Sequence, residues 1–263
     1  MKNIAIIFAG GTGQRMGAEI PKQFLEIGGK EIIVRTLEIF QDNVDIDEIY
    51  VVSIEEGIDH VNDLIERYKL TKVRRVVAGG KTGQDSIFIG LSEAKKDHEE
   101  AIVLIHDGVR PLVDSEVIST GIRTAEEHGS AITVTPAFET PIISEDGVTV
   151  SAMPNRKLAY TAQAPQCFFL STIYDAHIKE RAVNPNYEGI VDSCGLLFKN
   201  GIRCHLIEGN KDNIKVTTTE NLIQLVANYN MRDYRKIIRI DEHKKTQEEA
   251  PKELKKTPPK QGE

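Results

Sequence analysis

The chain has 263 residues, 40% of them hydrophobic and 28% charged, with a formal net charge of −7. That is the make-up of a water-soluble globular protein with room for a substantial core, and its acidity argues against a nonspecific nucleic-acid or membrane binder. Residues 241–263 balance acids against lysines, so the charge lies on the remainder, and an anionic substrate needs a local cationic pocket.

Cys167, Cys194 and Cys204 form no C-x-x-C pair and give an odd count, which disfavours a disulfide framework and suits a reducing compartment. Lys2 precedes only about five apolar residues before the glycines, so no secretory signal is expected, and no apolar run approaches the roughly 18 residues of a bilayer span. The expectation is a cytoplasmic protein with neither membrane nor nucleic acid as partner.

Ile4–Phe8 reads as a short, wholly apolar strand. It opens onto Ala9-Gly10-Gly11-Thr12-Gly13-Gln14-Arg15-Met16-Gly17, and Pro21-Lys22-Gln23-Phe24 follows. Closely spaced glycines let backbone N–H groups approach a phosphate without Cβ interference. Arg15 and Lys22 add two cations, which together imply a polyphosphate. There is no G-x-x-x-x-G-K-[ST], so this is not a Walker loop. Strict G-x-G-x-x-G also fails, because Met16 stands at the last position and Gly17 comes one residue late. Glu55 and Glu56, after the second strand, sit where a ribose-binding acid would, which keeps an NAD-dependent oxidoreductase as an alternative.

Strand and helix patterns then alternate. A helix is expected at Glu31–Phe40, a strand at Glu48–Val52, a helix at Gly57–Tyr68 and a strand at Arg75–Val77. There follow a helix at Asp85–Lys95, a strand at Ala101–Ile105, a helix at Ser115–His128 and a strand at Ala131–Thr135. Alternating β and α predicts a mostly parallel sheet covered on both faces, with ligands outside the carboxyl ends of the strands. The loops there are Ala9–Lys22, Gly79–Ser86 and His106–Pro111. Glu139–Gln166 breaks the rhythm with turn-rich sequence and short β segments at Val148–Ser151 and Leu158–Ala162, which predicts a projecting hairpin. Helices at Ser171–Arg181 and from Asp192, a strand at Cys204–Ile207 and a helix at Thr219–Tyr229 complete the pattern. The expected organisation is one α/β domain over 1–240, with its arm at about 139–166, and a disordered charged tail over 241–263.

Seven strings now stand in order: A-G-G-T-G-Q-R-M-G (9–17), P-K-Q-F (21–24), G-G-x-x-x-x-D-S-I (79–87), H-D-G-V-R-P (106–111), P-N-R (154–156), Q-A-P-Q (163–166) and D-N-I-K-V-T (212–217). Together they resemble the cytidylyltransferase family that includes the methylerythritol-phosphate and ribitol-5-phosphate cytidylyltransferases, over everything but the tail. The resemblance implies a single Rossmann-like nucleotidyltransferase domain. In it, a polyol phosphate attacks the α-phosphorus of CTP and pyrophosphate leaves. G-G-T-G, V-R-P and P-N-R lean toward the ribitol-phosphate branch. Charge grows on the phosphates, so fixed cations and N–H donors do most of the work. The nucleophile is already an anion and needs no general base.

The resemblance also implies residue roles. Arg15 and Lys22 would meet the transition-state charge, and Lys215 would orient the attacking phosphate. Phe8, Ala9, Gly10, Gly11, Thr12, Gly13, Gln84 and Asp85 would bind the nucleotide, and Gly79, Gly80 and Ser86 would receive the cytosine. Ser86 either reads the base edge or caps the following helix. Asp107 would stand by the nucleotide and hold Mg²⁺, its alternative being a turn acid. Arg110 either holds the acceptor phosphate or braces Asp107, and His106 is structural. Thr140 and Arg156, on the arm, would reach into a partner subunit, so that a homodimer shares its sites.

Three positions depart from the family pattern. Gly83 replaces a basic residue, Ala164 replaces Thr in Q-T-P-Q, and Val191 replaces Thr before Asp192. Loss of two hydroxyls on the acceptor side points to a different or smaller acceptor. Ribitol 5-phosphate leads, with methylerythritol phosphate and glycerol phosphate as alternatives. A non-catalytic nucleotide-binding module is the remaining rival, and the joint presence of Arg15, Lys22, Arg156 and Lys215 argues against it.

Overall fold

The computed structural model describes residues 1–11 and 20–238, with side chains to residue 232. The positions expected to act at Thr12, Gly13 and Arg15, and the tail over 241–263, lie outside the described residues. Two units separate by contact, Met1–Val226 and Ala227–Glu263. The site lies in the first. Of the second, the described part is helical.

β1 (Lys2–Ala9) leads through a 3-10 turn (Lys22–Phe24) to a two-stranded ribbon, β2 (Glu26–Ile27) and β3 (Lys30–Glu31). This ribbon has no counterpart in the expected elements, although Gly28-Gly29 marks it. Both glycines have positive φ, +57° and +72°, as a two-residue hairpin turn demands. Then come α1 (Ile32–Asp42), β4 (Glu48–Ser53), α2 (Ile58–Tyr68), β5 (Val73–Ala78), α3 (Gly83–Asp97) and β6 (Ala101–Asp107). α4 (Ser115–His128) and β7 (Ser130–Pro136) follow. After the arm the chain forms β8 (Tyr160–Phe169), α5 (Leu170–Val183), α6 (Ser193–Lys199), β9 (Leu206–Glu208) and α7 (Thr219–Ile238). The last helix runs past the expected Tyr229 because no Gly or Pro stops it.

The seven-stranded sheet has the order β5-β4-β1-β6-β8-β7-β9. Every neighbouring pair is parallel except those made by β8, which runs antiparallel to both β6 and β7. β1 lies between β4 and β6, so both its faces are covered, which is why it reads as continuously apolar. Ala5 and Ile7 pack with α1, α2 and α4 residues such as Leu37, Leu64 and Ile118. Ile4 and Ile6 face the opposite layer, with Ile87, Leu91 and Leu196. The alternation follows from the two-residue period of a strand.

The arm departs most from the expected boundaries. Val148–Ser151 is not a strand. The connection 137–159 contains one antiparallel bridge, Ile143 with Ala152, and a 3-10 turn at Arg156–Leu158. The strand expected at Leu158–Ala162 is instead the start of β8, whose Cys167 and Phe168 are buried between β6 and β7. The apolar run Cys167–Leu170 is the signal that carries it into the sheet. Because β8 is antiparallel, its first half lies beside the carboxyl end of β6, with Gln166 opposite Ile105. A presumed hairpin leg therefore delivers residues to the site. No helix among the described residues is long and apolar enough to cross a membrane.

Candidate active site

The carboxyl ends of β1 and β6 meet with Phe8 opposite Asp107. Two cavities open there. One, of about 530 Å³, runs from Gly10, Gly11 and Lys22 to Gly80, Lys81 and Ser86. The other, of about 330 Å³, lies between Gln84, Ile87, Ala164, Val191 and Ser193. Phe8, Gly83, Asp107 and Lys215 border both. A Cβ built on Gly83 meets nothing within 4 Å, so the space that a basic residue would fill stays open between them.

Asp107 is the fixed point of this junction. It is 5% exposed. Lys215 Nζ lies 2.5 Å from Oδ1, and Arg110 Nε donates to Oδ2 at 2.8 Å. Burial pushes the carboxyl up, but the Lys215 and Arg110 charges and hydrogen bonds outweigh it, leaving the pKa lowered to about 2. Arg110 also donates to Asn213 O at 2.8 Å, and Val216 N to Val109 O at 3.1 Å. Of the two roles open to Arg110, bracing Asp107 is the one its contacts show. The D-N-I-K-V segment is thereby stitched to the end of β6, which places Lys215 over the Phe8 ring, 5.7 Å from its centroid.

Lys22 sits opposite, with its Cε 3.5 Å from a Cβ built on Gly11. The fully buried Gln23 holds this segment to β1 by donating from Nε2 to Ala9 O at 2.9 Å. The P-K-Q-F string contains Gln23, but only its burial shows the positioning role. Lys81, an unspecified position of the G-G-x-x-x-x-D-S-I string, lines the same cavity without a motif signal of its own. The larger cavity thus has Lys22, Lys81 and Lys215 against Asp107 in a chain of net charge −7. It is the local cationic pocket that the composition demands.

Thr82 begins α3 with a capping box: its hydroxyl accepts from Asp85 N at 3.0 Å, and Asp85 Oδ2 accepts from Thr82 N at 3.2 Å. Asp85 also pairs with Arg181 at 2.6 Å. Its carboxylate oxygens are thus both engaged within the fold, by Thr82 and by Arg181. Ser86 Oγ donates to Thr82 O at 3.0 Å and accepts from Gly80 N at 3.1 Å. A Cβ at Gly79 would come within 2.8 Å of that oxygen, and one at Gly80 within 2.3 Å of Asp85 Cβ. These two positions need glycine because the loop is folded tightly onto the start of α3.

Asp192 caps α6, accepting from Gly195 N at 2.8 Å, and Gln166 Nε2 donates to its other oxygen at 2.9 Å. Ala164 and Val191, the two departures from hydroxyl residues, both line the smaller cavity. Thr140 and Arg156 border neither cavity. Both are exposed, and Arg156 Nη1 donates to Phe138 O at 3.4 Å. His106 is fully buried against Phe40, with Nε2 3.2 Å from Arg110 O.

An α/β sheet with a cationic, glycine-lined cleft at the ends of β1 and β6 defines a nucleotide-binding enzyme in which phosphates meet fixed charge. The chain matches the model of the IspD family, 2-C-methyl-D-erythritol 4-phosphate cytidylyltransferase, over residues 3–232. It is 43% identical over 239 residues to a ribitol-5-phosphate cytidylyltransferase of Streptococcus agalactiae serotype V, covering 90% of this chain and 99% of that one. To a 2-C-methyl-D-erythritol 4-phosphate cytidylyltransferase of Clostridium botulinum strain Okra it is 42% identical over 223 residues, 84% of this chain and 95% of that one. A solved 4-diphosphocytidyl-2C-methyl-D-erythritol synthase from Anaerococcus prevotii superposes with a TM-score of 0.77 at 31% identity, covering 87% of this chain and 96% of that one. The chain belongs to this cytidylyltransferase family. It is an enzyme that transfers a cytidylyl group from CTP to a polyol phosphate.

Burial lowers His106 from its ordinary 6.5 to about 4, against the pull of Asp107 and the Arg110 carbonyl. Burial likewise lowers His177 to about 3, and the Arg181 charge adds to it. Unfolded histidines take up protons near pH 6.5 while these folded ones do not. Their stabilising contribution is thus complete above that pH and lost as pH falls toward their folded values. The melting temperature is expected to drop from about pH 7 to about pH 5, and His106→Gln should flatten part of that drop, as followed by circular dichroism. An unchanged slope in His106→Gln would contradict the buried neutral imidazole.

Proposed function

We propose that the acceptor is D-ribitol 5-phosphate, bound in the smaller cavity while CTP occupies the larger. The observation that carries this reading is the pair of walls, Asp107 and Lys215, that the two cavities share. They mark the place where an acceptor phosphate oxygen would meet the α-phosphorus. That oxygen attacks, the bond to the bridging oxygen breaks, and pyrophosphate leaves. Lys215, fixed by Asp107, orients the incoming phosphate, while Lys22 and Arg15 meet the charge that grows on the departing one. The relatives named for ribitol 5-phosphate support this acceptor; methylerythritol phosphate is the alternative their near-equal counterparts keep open.

Mg²⁺ is the expected cofactor. It takes one or two carboxylates and completes its shell with phosphates and water. Asp107, ionised at every working pH, fits a cation that arrives with the triphosphate. Bound there, it would neutralise phosphate charge.

The arm supports a homodimer. Phe138 is 83% exposed, Val148 88% and Leu158 77%, with Ile142, Val150 and Met153 also bare. So many apolar side chains on one projecting segment call for a cover. A second copy of the chain provides it and brings Thr140 and Arg156 to the neighbour's acceptor cavity. A CTP-using enzyme of this kind works in the cytoplasm.

Incubation with CTP, Mg²⁺ and single polyol phosphates should release pyrophosphate fastest with ribitol 5-phosphate, and ATP or GTP in place of CTP should give far less. Comparable turnover with a purine triphosphate, or a preference for methylerythritol phosphate, would overturn the assignment.

Shared sites have a separate signature. Arg156→Ala and Lys215→Ala would damage different halves of one composite site, so mixing the two inactive enzymes under subunit exchange should restore about a quarter of wild-type activity. No recovery, with exchange proven, would place both residues in one subunit's site.

A further inference from the structure

Identity to the relatives, 43% against 42%, does not choose the acceptor. The lining of the smaller cavity does. Most of its polar groups are already spent: Gln166 and Asp192 hold each other and the start of α6. The Gln163 side-chain oxygen is also without a hydrogen-bond partner, but it packs against Gly209, where a built Cβ would come within 2.6 Å of it, and its residue is only half-buried. Two fully buried side chains of the wall share that lack. Gln84, 5% exposed on α3, and Ser193, 1% exposed at the first turn of α6, each carry an oxygen with no hydrogen-bond partner. Both residues line the cavity. The Gln84 amide is anchored through Nε2 to Val191 O at 3.4 Å, which leaves Oε1 as its partnerless atom. Buried polar atoms without partners are few in folded proteins, and each requires an explanation.

We propose that Gln84 and Ser193 are the specificity-determining residues for the acceptor, reading hydroxyl groups on the carbon chain of the polyol phosphate. The inference rests on assigning the smaller cavity to the acceptor, and it moves Gln84, which lines that cavity and not the larger one, from the nucleotide-binding role expected of it to the acceptor. Gln84 Oε1 can only accept, so its partner must be a donor; Ser193 Oγ can do either. Between them the wall is apolar, with Ile87, Ile105, Ala164 and Phe8. A ligand presenting O–H groups at two places and C–H surface between them is an open-chain polyol. The oxygens absent at Ala164 and Val191 thus have a counterpart in the partnerless oxygens of two wall residues, on α3 and α6. Such a site rejects an analogue lacking the hydroxyl far more strongly than an apolar pocket rejects an extra one.

The test compares ribitol 5-phosphate with its 2-deoxy and 3-deoxy analogues in wild type, Gln84→Met and Ser193→Ala. Wild type should favour the full polyol over at least one analogue by about 10²-fold or more in kcat/KM. Each variant should shrink that preference at least about tenfold, with a raised acceptor KM and an unchanged KM for CTP. Discrimination kept in both variants would overturn the proposal, and so would an equal loss for all three acceptors. Ser193→Ala removes a single atom and serves if Gln84→Met fails to fold. Failure of the underlying assignment looks different: the wild-type enzyme itself would make no product from ribitol 5-phosphate.

Discussion

A single buried carboxylate organises this molecule's chemistry. Asp107 ends the fully buried strand β6, and each of its oxygens holds a cation from a different part of the chain. A charge in that position would be costly alone; paired twice, it stays ionised down to about pH 2. The geometry of the rest follows. Arg110 reaches on to Asn213, and the backbone of Val216 bonds Val109, so the loop carrying Lys215 is fastened to the sheet from two sides. The lysine that faces both cavities is thus held by contacts that do not depend on substrate, which is the preorganisation that electrostatic catalysis requires.

Much of this was legible in the residues because each signal was local. The alternation of apolar runs with helical periods gave the parallel part of the sheet, and its loops were those that gather around Asp107. β8 was not legible. Tyr160–Gln166 is largely polar and begins outside the core, and its place between β6 and β7 is decided by Cys167 and Phe168 through contacts distant in sequence. The site residues that escaped notice have the same origin. Gln23 and Gln166 stand in motif strings that assign them no role, Ser193 stands in none, and only burial shows what they hold or leave open. Asp85 shows the converse: it stands in a motif, yet its carboxylate is engaged by Thr82 and Arg181.

The two cavities also differ in what lines them. The larger is lined by glycines, lysines and backbone, a surface that any triphosphate chain would satisfy. The smaller is lined by side chains from α3, β8 and α6, and the departures at Ala164 and Val191 fall there. Gly83 opens the passage between the two. With the acceptor in the smaller cavity, as proposed, a change of acceptor would need only side-chain substitutions on elements that the sheet holds in place, with Asp107 untouched.

The proposed mechanism requires Lys215 to act through its bond to Asp107, as one unit. A double-mutant cycle with Asp107→Asn, Lys215→Gln and the pair, read as kcat/KM at saturating CTP, tests it most directly. Each single change should cost a large part of the activity, and the double variant should lose little more than the worse single, leaving a coupling of about 1–3 kcal/mol. Losses that simply add would mean that the two residues work independently, and the account of the site would then be wrong.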